Sequence, residues 1–508
     1  MVRSTFAGFS VAQLAMAASQ TALDIVGQNV SNIHTTGYTR QRLDQQSVSP
    51  TGHSVMCSQY SVKVGQGVMG TGVSQIRDPF LDIQYRTQLS EVGTVDAMDA
   101  VLARLGDIFD ETASTKIGVA LNDVISQLQN MARPDTGGQD TYDTIVRSAM
   151  ETFINLVHDN AKEITSLKQE YIDKLTGSES SEIESYLTKI VELNQSIKNS
   201  QVLGNPALEL MDQRNQLIDE LATYLPIDVT YEEKNMGANT KVETLKITFT
   251  DGDGTVHTLI DDNEKGSVTI TEEQDMTISV TVTSAGTGAM KDVTDVLGEG
   301  VLKGYADMLN EKGIYGGDDT KGIGFYEEYF NNYINEFATM LNDLNGGPGF
   351  ELFETSDNSG TFTAANIKIS EGWMNGTVKL TTSTDPVAGD GAYENIQRMI
   401  NALSKDDYQF TDPATNSVVF EGTFLEAYDF LQNTQGMERS SIATILKNRT
   451  TTLEQIANSK DSVSSVSLDE EVMNMMKYQQ SYNAAARLMT TLDEALNTLI
   501  NNTGVVGR

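Results

Sequence analysis

The feature that most constrains this chain is a regular spacing of apolar residues near its C-terminus. From 468 to 500 they recur at alternating steps of three and four, interrupted only by Gln479 and Asp493. This spacing is typical of one narrow face of a helix that packs against another helix. Ser467 and Glu470 fit a capping box, and acidic residues 469–471 suit the positive end of the helix dipole. The sequence therefore predicts a single helix over 468–502, about 52 Å long.

The N-terminal segment carries a similar pattern. Its apolar positions step by three and four along Val11, Leu14, Ala18, Thr21 and Ile25, which predicts a second narrow face. Ser10 and Gln13 fit a capping box, although a start near Ser4 is equally compatible. We expect this helix to stop at Gly37, within the break Thr35-Thr36-Gly37.

Between these ends the pattern changes from helical to extended and back. Residues 78–225 have helical periodicity, with breaks at 134–138 and 204–206. After Pro226 the alternation of Leu245, Ile247 and Phe249 predicts strands, with a hairpin turn at 251–254. Extended character repeats at 267–285. Further segments follow in this order: helix over 326–345, short mixed strands over 350–386, and helix from about 393 onward with an interruption at 406–421.

This order predicts a mainly α protein with an inserted β-rich domain. We expect three units, each built from more than one stretch of chain. They are a coiled-coil domain of the paired terminal helices (1–65 plus 462–508), a helical-bundle domain (66–227 plus 296–349 plus 387–461) and an outer β-rich domain (228–295 plus 350–386).

Charge excludes several classes of partner. The formal net charge is −36, which argues against nucleic acid and against an anionic membrane surface. Most of this charge lies in the middle of the chain, and the two ends are nearly neutral, as expected of surfaces that pack against copies of themselves. An acidic host proteome explains the same distribution equally well. We find no 18-residue apolar run and no secretory signal pattern, and the single cysteine, Cys57, excludes an intrachain disulfide.

Short motifs point to no chemistry. Residues 65–70 match G-x-G-x-x-G, but they lead into another predicted turn at Thr71-Gly72 rather than from a strand into a helix. Residues 251–262 resemble a calcium loop that lacks its central glycine, so a hairpin explains them better. The four histidines, at 34, 53, 158 and 257, have no metal-ligand spacing, and a Cys57–His53 nucleophile pair has no orienting third group. We therefore predict no enzyme activity, no catalytic residue, no metal and no cofactor.

Both ends resemble a known group of proteins. The stretch VAQLAMAASQTALDIVGQNVSNIHTTGYTRQR, with Asn29, Asn32, Gly37 and Tyr38, is similar to the N-terminal signature of axial proteins of the bacterial flagellum. Residues 465–500 are similar to their C-terminal signature. Together with 117–129 and 360–370, these ends resemble the FlgK family of hook-associated proteins. Thr36 stands where many relatives have proline.

The resemblance implies a structural junction protein at the distal end of the hook, connecting hook to filament and lying outside the cell. It implies as partners other copies of the chain in a helically arranged ring, the hook protein, a second junction protein, the type III export apparatus and an export chaperone on the C-terminal helix. Alternatives are another axial protein, an enzyme on this scaffold, or an acidic adhesin. The residues expected at the assembly interface are Val11, Leu14, Ala18, Ile25, Asn29, Asn32, Gly37, Tyr38, Leu468, Val472, Met475, Gln479, Tyr482, Ala486, Met489, Leu496 and Ile500. We also expect residues 1–60 and 462–508 to be mobile in the monomer and to order on assembly.

Overall fold

The computed structural model describes most of the chain as a mainly α protein with several small antiparallel sheets. The described residues are 5–48, 65–109, 117–133, 139–235, 241–311, 321–384, 392–411 and 417–502. Cys57, His53 and the predicted break at 134–138 lie outside them. Within the described residues, no helix is both long and apolar enough to cross a membrane.

The two ends of the chain form one layer. Its elements are α1 (Thr5–Ser31), β1 (Gln41–Ser47), β2 (Val68–Gln75) and α12 (Leu468–Asn502). The predicted bounds of α12 are therefore confirmed, and α1 is helical from well before Ser10. β1 and β2 pair antiparallel with a bulge after Asp44. The predicted turn at Thr71-Gly72 is wrong, because both residues lie inside β2 beside this bulge.

The first helix ends earlier than predicted. It stops at Ser31 instead of Gly37, because the Asn32 side chain donates to the carbonyl of Gln28 (3.0 Å) and accepts from Thr35 (3.1 Å). Two short turns then lead to Gly37, whose φ of +78° is the left-handed conformation that glycine adopts most readily. Gly37 therefore redirects the chain after the helix has already ended.

The helices of the middle form the body of the molecule. They are α2 (Pro79–Phe109), α3 (Ile117–Met131), α4 (Gln139–Lys174), α5 (Ser180–Val202), α6 (Leu208–Tyr224), α7 (Val301–Asn310), α8 (Ile323–Asn345), α9 (Glu371–Met374), α10 (Glu394–Leu403) and α11 (Phe424–Ser464). A π-helical turn over Leu175–Glu179 joins α4 directly to α5. α11 runs antiparallel to α2, since Gln432 bonds the carbonyl of Phe109 and Arg449 bonds that of Glu91.

The strands after Pro226 form two antiparallel sheets beside α5. One has the order β3 (Ile227–Asn235), β4 (Lys241–Thr250), β5 (Val256–Asp261), β6 (Glu264–Lys265); the other has the order β7 (Ser267–Glu272), β8 (Ile278–Thr283), β9 (Met290–Asp292). The predicted hairpin is confirmed, and Leu245, Ile247 and Phe249 are all buried. Two short hairpins lie elsewhere: β10 (Phe353–Thr355) with β11 (Ile367–Ile369), and β12 (Tyr408–Thr411) with β13 (Val418–Gly422).

The segment 350–384 packs on helices of the body. His158 of α4 bonds the carbonyl of Ile367 at 2.7 Å, and the indole nitrogen of Trp373 bonds Asp143 of α4 at 3.1 Å. The Phe353 ring lies 5.8 Å from Phe337 of α8. Three-residue strands cannot form a core alone, so these side chains join the aromatic core of α4 and α8. The sequence pattern predicts that this segment belongs with 228–295, whereas these contacts attach it to the helical body; the domain bounds themselves stay a prediction.

Candidate assembly site

The terminal helices pack side by side in opposite directions. A side chain at Gly8 of α1 would come within 2.9 Å of Leu492 near the end of α12, whereas Asn29 near the end of α1 bonds Glu471 near the start of α12. The buried face of α1 is built mostly from small side chains: Ala12, Ala18, Ser19, Ala22, Ile25, Val26 and Asn29. Small residues let the helix axes approach closely.

A polar cluster closes the pair where α1 ends. The Asn29 amide nitrogen donates to the carbonyl of Gln41 (2.9 Å) and to Glu471 (3.2 Å). Its oxygen accepts from the Tyr38 hydroxyl (2.9 Å) and from the backbone N–H of Gln41 (3.0 Å). Asn29 thus makes all four hydrogen bonds that an amide allows. It ties the turn after α1 to β1 and to α12.

Arg40 completes this cluster, which we call the clasp (Asn29, Tyr38, Arg40, Gln41 and Glu471). Its guanidinium pairs with Glu471 at 2.8 Å and with Glu470 at 2.5 Å. Its backbone N–H donates to the carbonyl of Ser464 at the end of α11. Glu471 is 1% exposed, so its charge is stabilised by these contacts rather than by water. Burial, with Glu209, Asp212 and Glu471 nearby, raises the pKa of Tyr38 well above its usual value, so the hydroxyl stays a donor.

A second set of contacts fastens the terminal layer to the body. Asp212 of α6 accepts from the backbone N–H of Thr39 (3.0 Å), from its hydroxyl (2.6 Å) and from Gln75 (2.9 Å). Gln41 also donates to Glu209 at 3.2 Å. Burial raises the pKa of Asp212 despite these donors. The turn at Gly37 thus delivers β1 to the N-terminal part of α6.

A cavity of 400 Å³ lies beside this attachment. Tyr38, Tyr85, Asp219 and Lys460 are among the residues that line it. Lys460 of α11 bonds Asp219 at 2.8 Å and lies 4.3 Å from the centre of the Tyr85 ring. Lys460 and Asp219 are therefore already paired within the chain, and the cavity lies at the junction between the terminal layer and the body.

The predicted interface residues are distributed unevenly. Ala18, Ile25 and Asn29 are buried, and seven others are half-buried: Val11, Leu14, Asn32, Tyr38, Ala486, Met489 and Leu496. The rest are exposed: Gly37, Leu468, Val472, Met475, Gln479, Tyr482 and Ile500. The structure brings Asn29 and Tyr38 into contact, whereas Asn32 caps α1 on its own.

The apolar face predicted for α12 is not the face that α1 covers. The covered positions fall mainly one residue earlier, at Glu471, Asn474, Tyr478, Ala485 and Leu492. On α1, Thr21 is exposed and Ala22 is buried, so that face is also displaced. Within one chain, α1 therefore leaves the exposed members of the predicted face largely uncovered, and the contacts expected for them within and between copies stay a prediction. The cause is that small and polar residues mediate the pairing, and hydrophobicity does not single them out.

Sequence reasoning missed four residues of this region: Arg40, Gln41, Asp212 and Glu471. A usable signal existed for two of them. Arg40 and Arg42 form a basic pair just after the N-terminal break, and acidic residues 469–471 begin the last helix. Opposite charges at the two ends favour pairing. The helix dipole alone, however, already accounts for those acids in the sequence. Asp212 gave no signal, because it is one of many carboxylates in an acidic chain.

The stretch that resembles a calcium loop has a structural role. The Asp251 carboxylate accepts from the backbone N–H groups of Asp253 (3.1 Å) and Thr255 (2.8 Å), and it pairs with His257 (2.9 Å) and Lys291 (2.6 Å). It therefore organises the hairpin turn. Hydrogen bonds from Lys291 and His257 hold its pKa far below the usual range. Among the described residues no group of three or more His, Cys, Asp or Glu is placed to hold a metal ion.

Three protein families match successive parts of the chain. The family described as flagellar hook-associated protein FlgK helical domain matches residues 102–353. The flagella basal body rod protein family matches residues 9–39, on α1 and the turns after it. The flagellar basal body rod FlgEFG protein C-terminal family matches residues 461–502, which include all of α12.

Whole proteins with the same extent also match. Flagellar hook-associated protein 1 of Bacillus subtilis (strain 168) is 29% identical over 537 residues, covering 99% of this chain and 100% of that protein. Its namesake in Salmonella typhimurium (strain LT2) is 22% identical over 570 residues, covering 95% and 97%. The structure of the flagellar hook junction protein FlgK from Burkholderia pseudomallei superposes with a TM-score of 0.55 at 11% identity, covering 75% of this chain and 100% of that one, which is a likeness of fold. The helical centre, both terminal signatures and the full-length relatives agree: over its whole length this chain is similar to the FlgK family of flagellar hook-associated proteins.

Proposed function

We propose that this chain is a structural, non-enzymatic part of the bacterial flagellum that assembles at the distal end of the hook and connects hook to filament. Copies of the chain pack through their terminal helices into a ring, against the hook protein on one side and a second junction protein on the other. The names of the relatives support the hook-associated setting.

One observation carries the assembly mechanism. α12 exposes a strip of large apolar side chains alongside the face that α1 covers, which we call the outer strip: Leu468, Val472, Met475, Tyr482 and Ile500. Soluble monomers rarely leave this many large apolar side chains uncovered along one helix. Because α1 already occupies the neighbouring face, a further helix from another copy is the partner that the geometry favours.

The proposal also covers export of the chain from the cell. The chain leaves the cell through the flagellar type III apparatus without a cleaved signal, and an export chaperone covers α12 beforehand. The same outer strip supports this, since an uncovered apolar helix in a crowded cytoplasm promotes premature association. A pull-down of the export chaperone with and without residues 468–502 tests it; equal capture of both forms would contradict it.

A matched pair of variants tests the role of the outer strip. Ile500 is 65% exposed, and Thr498, two positions away, points elsewhere on the same helix. Ile500→Asp and Thr498→Asp add the same charge. We expect Ile500→Asp to abolish polymerisation of the purified chain and Thr498→Asp to leave it largely intact, with unchanged melting of both monomers. Equal polymerisation of the two variants would refute the strip as an interface.

Deletion of the gene tests the position in the flagellum. We expect electron micrographs of hooks without filaments, together with flagellin shed into the medium. Complementation and localisation at the hook tip then separate this chain from a second junction protein. Cells without hooks would instead favour a rod or hook protein, an alternative that the matches at 9–39 and 461–502 alone would allow.

A further inference from the structure

Three methionines lie close together near the start of α12, and all three are open to solvent. Met473, Met475 and Met476 are 59%, 39% and 51% exposed. Elsewhere in the sequence the methionines stand singly. Several methionines of the body are buried: Met98, Met131, Met150, Met308 and Met399. The exposed thioethers of α12 are therefore a local feature of the helix that carries the outer strip.

Their positions around the helix separate the three. Successive residues of an α-helix are about 100° apart. Met475 is itself part of the outer strip, and Met476 follows Val472 by one turn, so it lies on the same side of α12. Met473 lies farther round, on the side opposite to α1. Met475 and Met476, which we call the methionine pair, are thus placed where a further helix would pack.

The thioether is a chemically distinct choice for such a surface. Leucine has a similar size and is apolar, and it cannot be oxidised under mild conditions. Methionine gains an oxygen atom readily when its sulfur is accessible, and the resulting sulfoxide is polar and chiral. Met308 and Met399 of the body are fully buried and do not meet an oxidant in the folded chain. Exposure therefore directs oxidation to the surface methionines, which include the methionine pair.

We propose that the methionine pair is a modification site for hydrogen peroxide, which oxidises both thioethers to sulfoxides in the unassembled chain and thereby blocks assembly. A sulfur lone pair attacks one peroxide oxygen, so that an S–O bond forms and the O–O bond breaks. The sulfur loses two electrons and the peroxide gains them. The departing hydroxide takes the proton from the transferred oxygen and leaves as water.

The effect on assembly follows from the polarity of the product. A sulfoxide oxygen that is buried against an apolar helix loses its hydrogen bonds to water, which is costly unless a new donor replaces them. A copy that has already assembled covers the pair and keeps peroxide away from the sulfur. Oxidation thus acts before assembly and not after it. This inference rests on the proposed role of the outer strip as the contact between copies.

The test compares polymerisation of the purified full-length chain before and after treatment with hydrogen peroxide. Peptide mass spectrometry should find sulfoxide at Met475 and Met476 and none at Met308 or Met399. We expect treated wild-type chain to lose polymerisation. Chain that is polymerised first should keep the methionine pair reduced under the same treatment. Equal oxidation of the pair in monomer and polymer, or normal polymerisation of the oxidised chain, would overturn the proposal.

A matched pair of double variants assigns the effect to these two sulfurs. Met475→Leu/Met476→Leu keeps the surface apolar at similar volume, and it should polymerise equally well with and without peroxide. Met290→Leu/Met437→Leu is the control, because those methionines of the body are 73% and 74% exposed. It should remain as sensitive as wild type. Loss of polymerisation by both treated variants would place the damage elsewhere and contradict the assignment.

A second measurement keeps the test decisive if the leucine variant of α12 fails to polymerise even when untreated. Methionine sulfoxide reductase with a thiol reductant should restore polymerisation of the oxidised wild-type chain, and failure to restore it after complete reduction would overturn the proposal. Ile500→Asp separates this inference from its basis. If that variant stays monomeric while oxidised wild type polymerises, only the modification site is refuted. If it polymerises normally, the role of the outer strip is refuted first.

Discussion

The body and the terminal layer are held together in different ways. In the body, large side chains such as Phe337, Phe424 and Trp373 are fully buried and their rings contact one another. In α12, the described side chains that are fully covered are only Glu471 and Ala485. Its partner α1 contributes mainly alanines and polar residues. The body has a dense core of its own. The pair of terminal helices is held by the clasp at one end and by a contact face of mainly small side chains.

This difference in packing indicates that the two regions are stabilised at different stages, one on folding and the other on assembly. Burying one large apolar side chain is worth about 1.5–3 kcal/mol, whereas an alanine contributes far less. The body therefore has the means to fold as a single chain. We expect the pair of terminal helices to gain most of its stability only when the outer strip is covered. We infer that the body folds independently within one chain, and that the pair of terminal helices becomes fully packed only against neighbouring copies.

The largest expected effect lies in the aromatic core. Phe424 is fully buried, with ring centres of Phe410 and Tyr408 both 5.0 Å away. Phe424→Ala should lower the free energy of unfolding of the body by about 3–5 kcal/mol. Urea unfolding followed by fluorescence of Trp373 measures this directly. Phe80, 63% exposed, is the matched control: Phe80→Ala should cost less than about 0.5 kcal/mol. Similar losses of unfolding free energy in the two variants would contradict the view that the buried aromatic core stabilises the body.

The next effect isolates the clasp. Asn29→Ala leaves the Tyr38 hydroxyl and the Gln41 backbone without their partners, which should cost about 1–3 kcal/mol. Hydrogen exchange should quicken in α1 and α12 while the body keeps its protection. Asn32→Ala is the control, since Asn32 bonds only near the end of its own helix. If amides of the body also lost protection from exchange, the clasp would be stabilising the whole chain and not only the terminal pair.

The smallest effect is a pH dependence confined to the body. Burial raises the pKa of Asp307 to about 6, against the opposing influence of Lys303. The folded state then binds this proton more tightly than the unfolded state, so stability rises as pH falls through about 6. Between about pH 7 and pH 5 the gain should be about 1 kcal/mol. It should vanish in Asp307→Asn; an equal slope in that variant would assign the effect to another group.

Much of the fold is readable from local pattern. The alternation of Leu245, Ile247 and Phe249 predicted a half-buried strand correctly, and the capping signals before Leu468 gave the start of α12. These features depend on neighbours along the chain. The end of α1 was misjudged because Asn32 caps the helix before Gly37 is reached, and a side-chain cap overrides a glycine farther on.

The site was harder to predict, because the clasp joins residues that lie more than 400 positions apart. Asn29 and Glu471 meet only after α1 and α12 align. The covered face of α12 differs from the predicted face for a related reason: the more apolar face stays largely exposed within the chain, and a face with small and polar residues packs on α1. Periodicity identifies a face, but it does not identify the partner that covers it.

The most direct test of the central claim is hydrogen exchange of the full-length chain as a dilute monomer and after polymerisation. We predict that α1 and α12 exchange rapidly in the monomer while α4, α8 and α11 stay protected, and that both terminal helices become protected on assembly. Terminal helices as strongly protected in the monomer as the body would contradict the account, because the pair would then be complete within one chain.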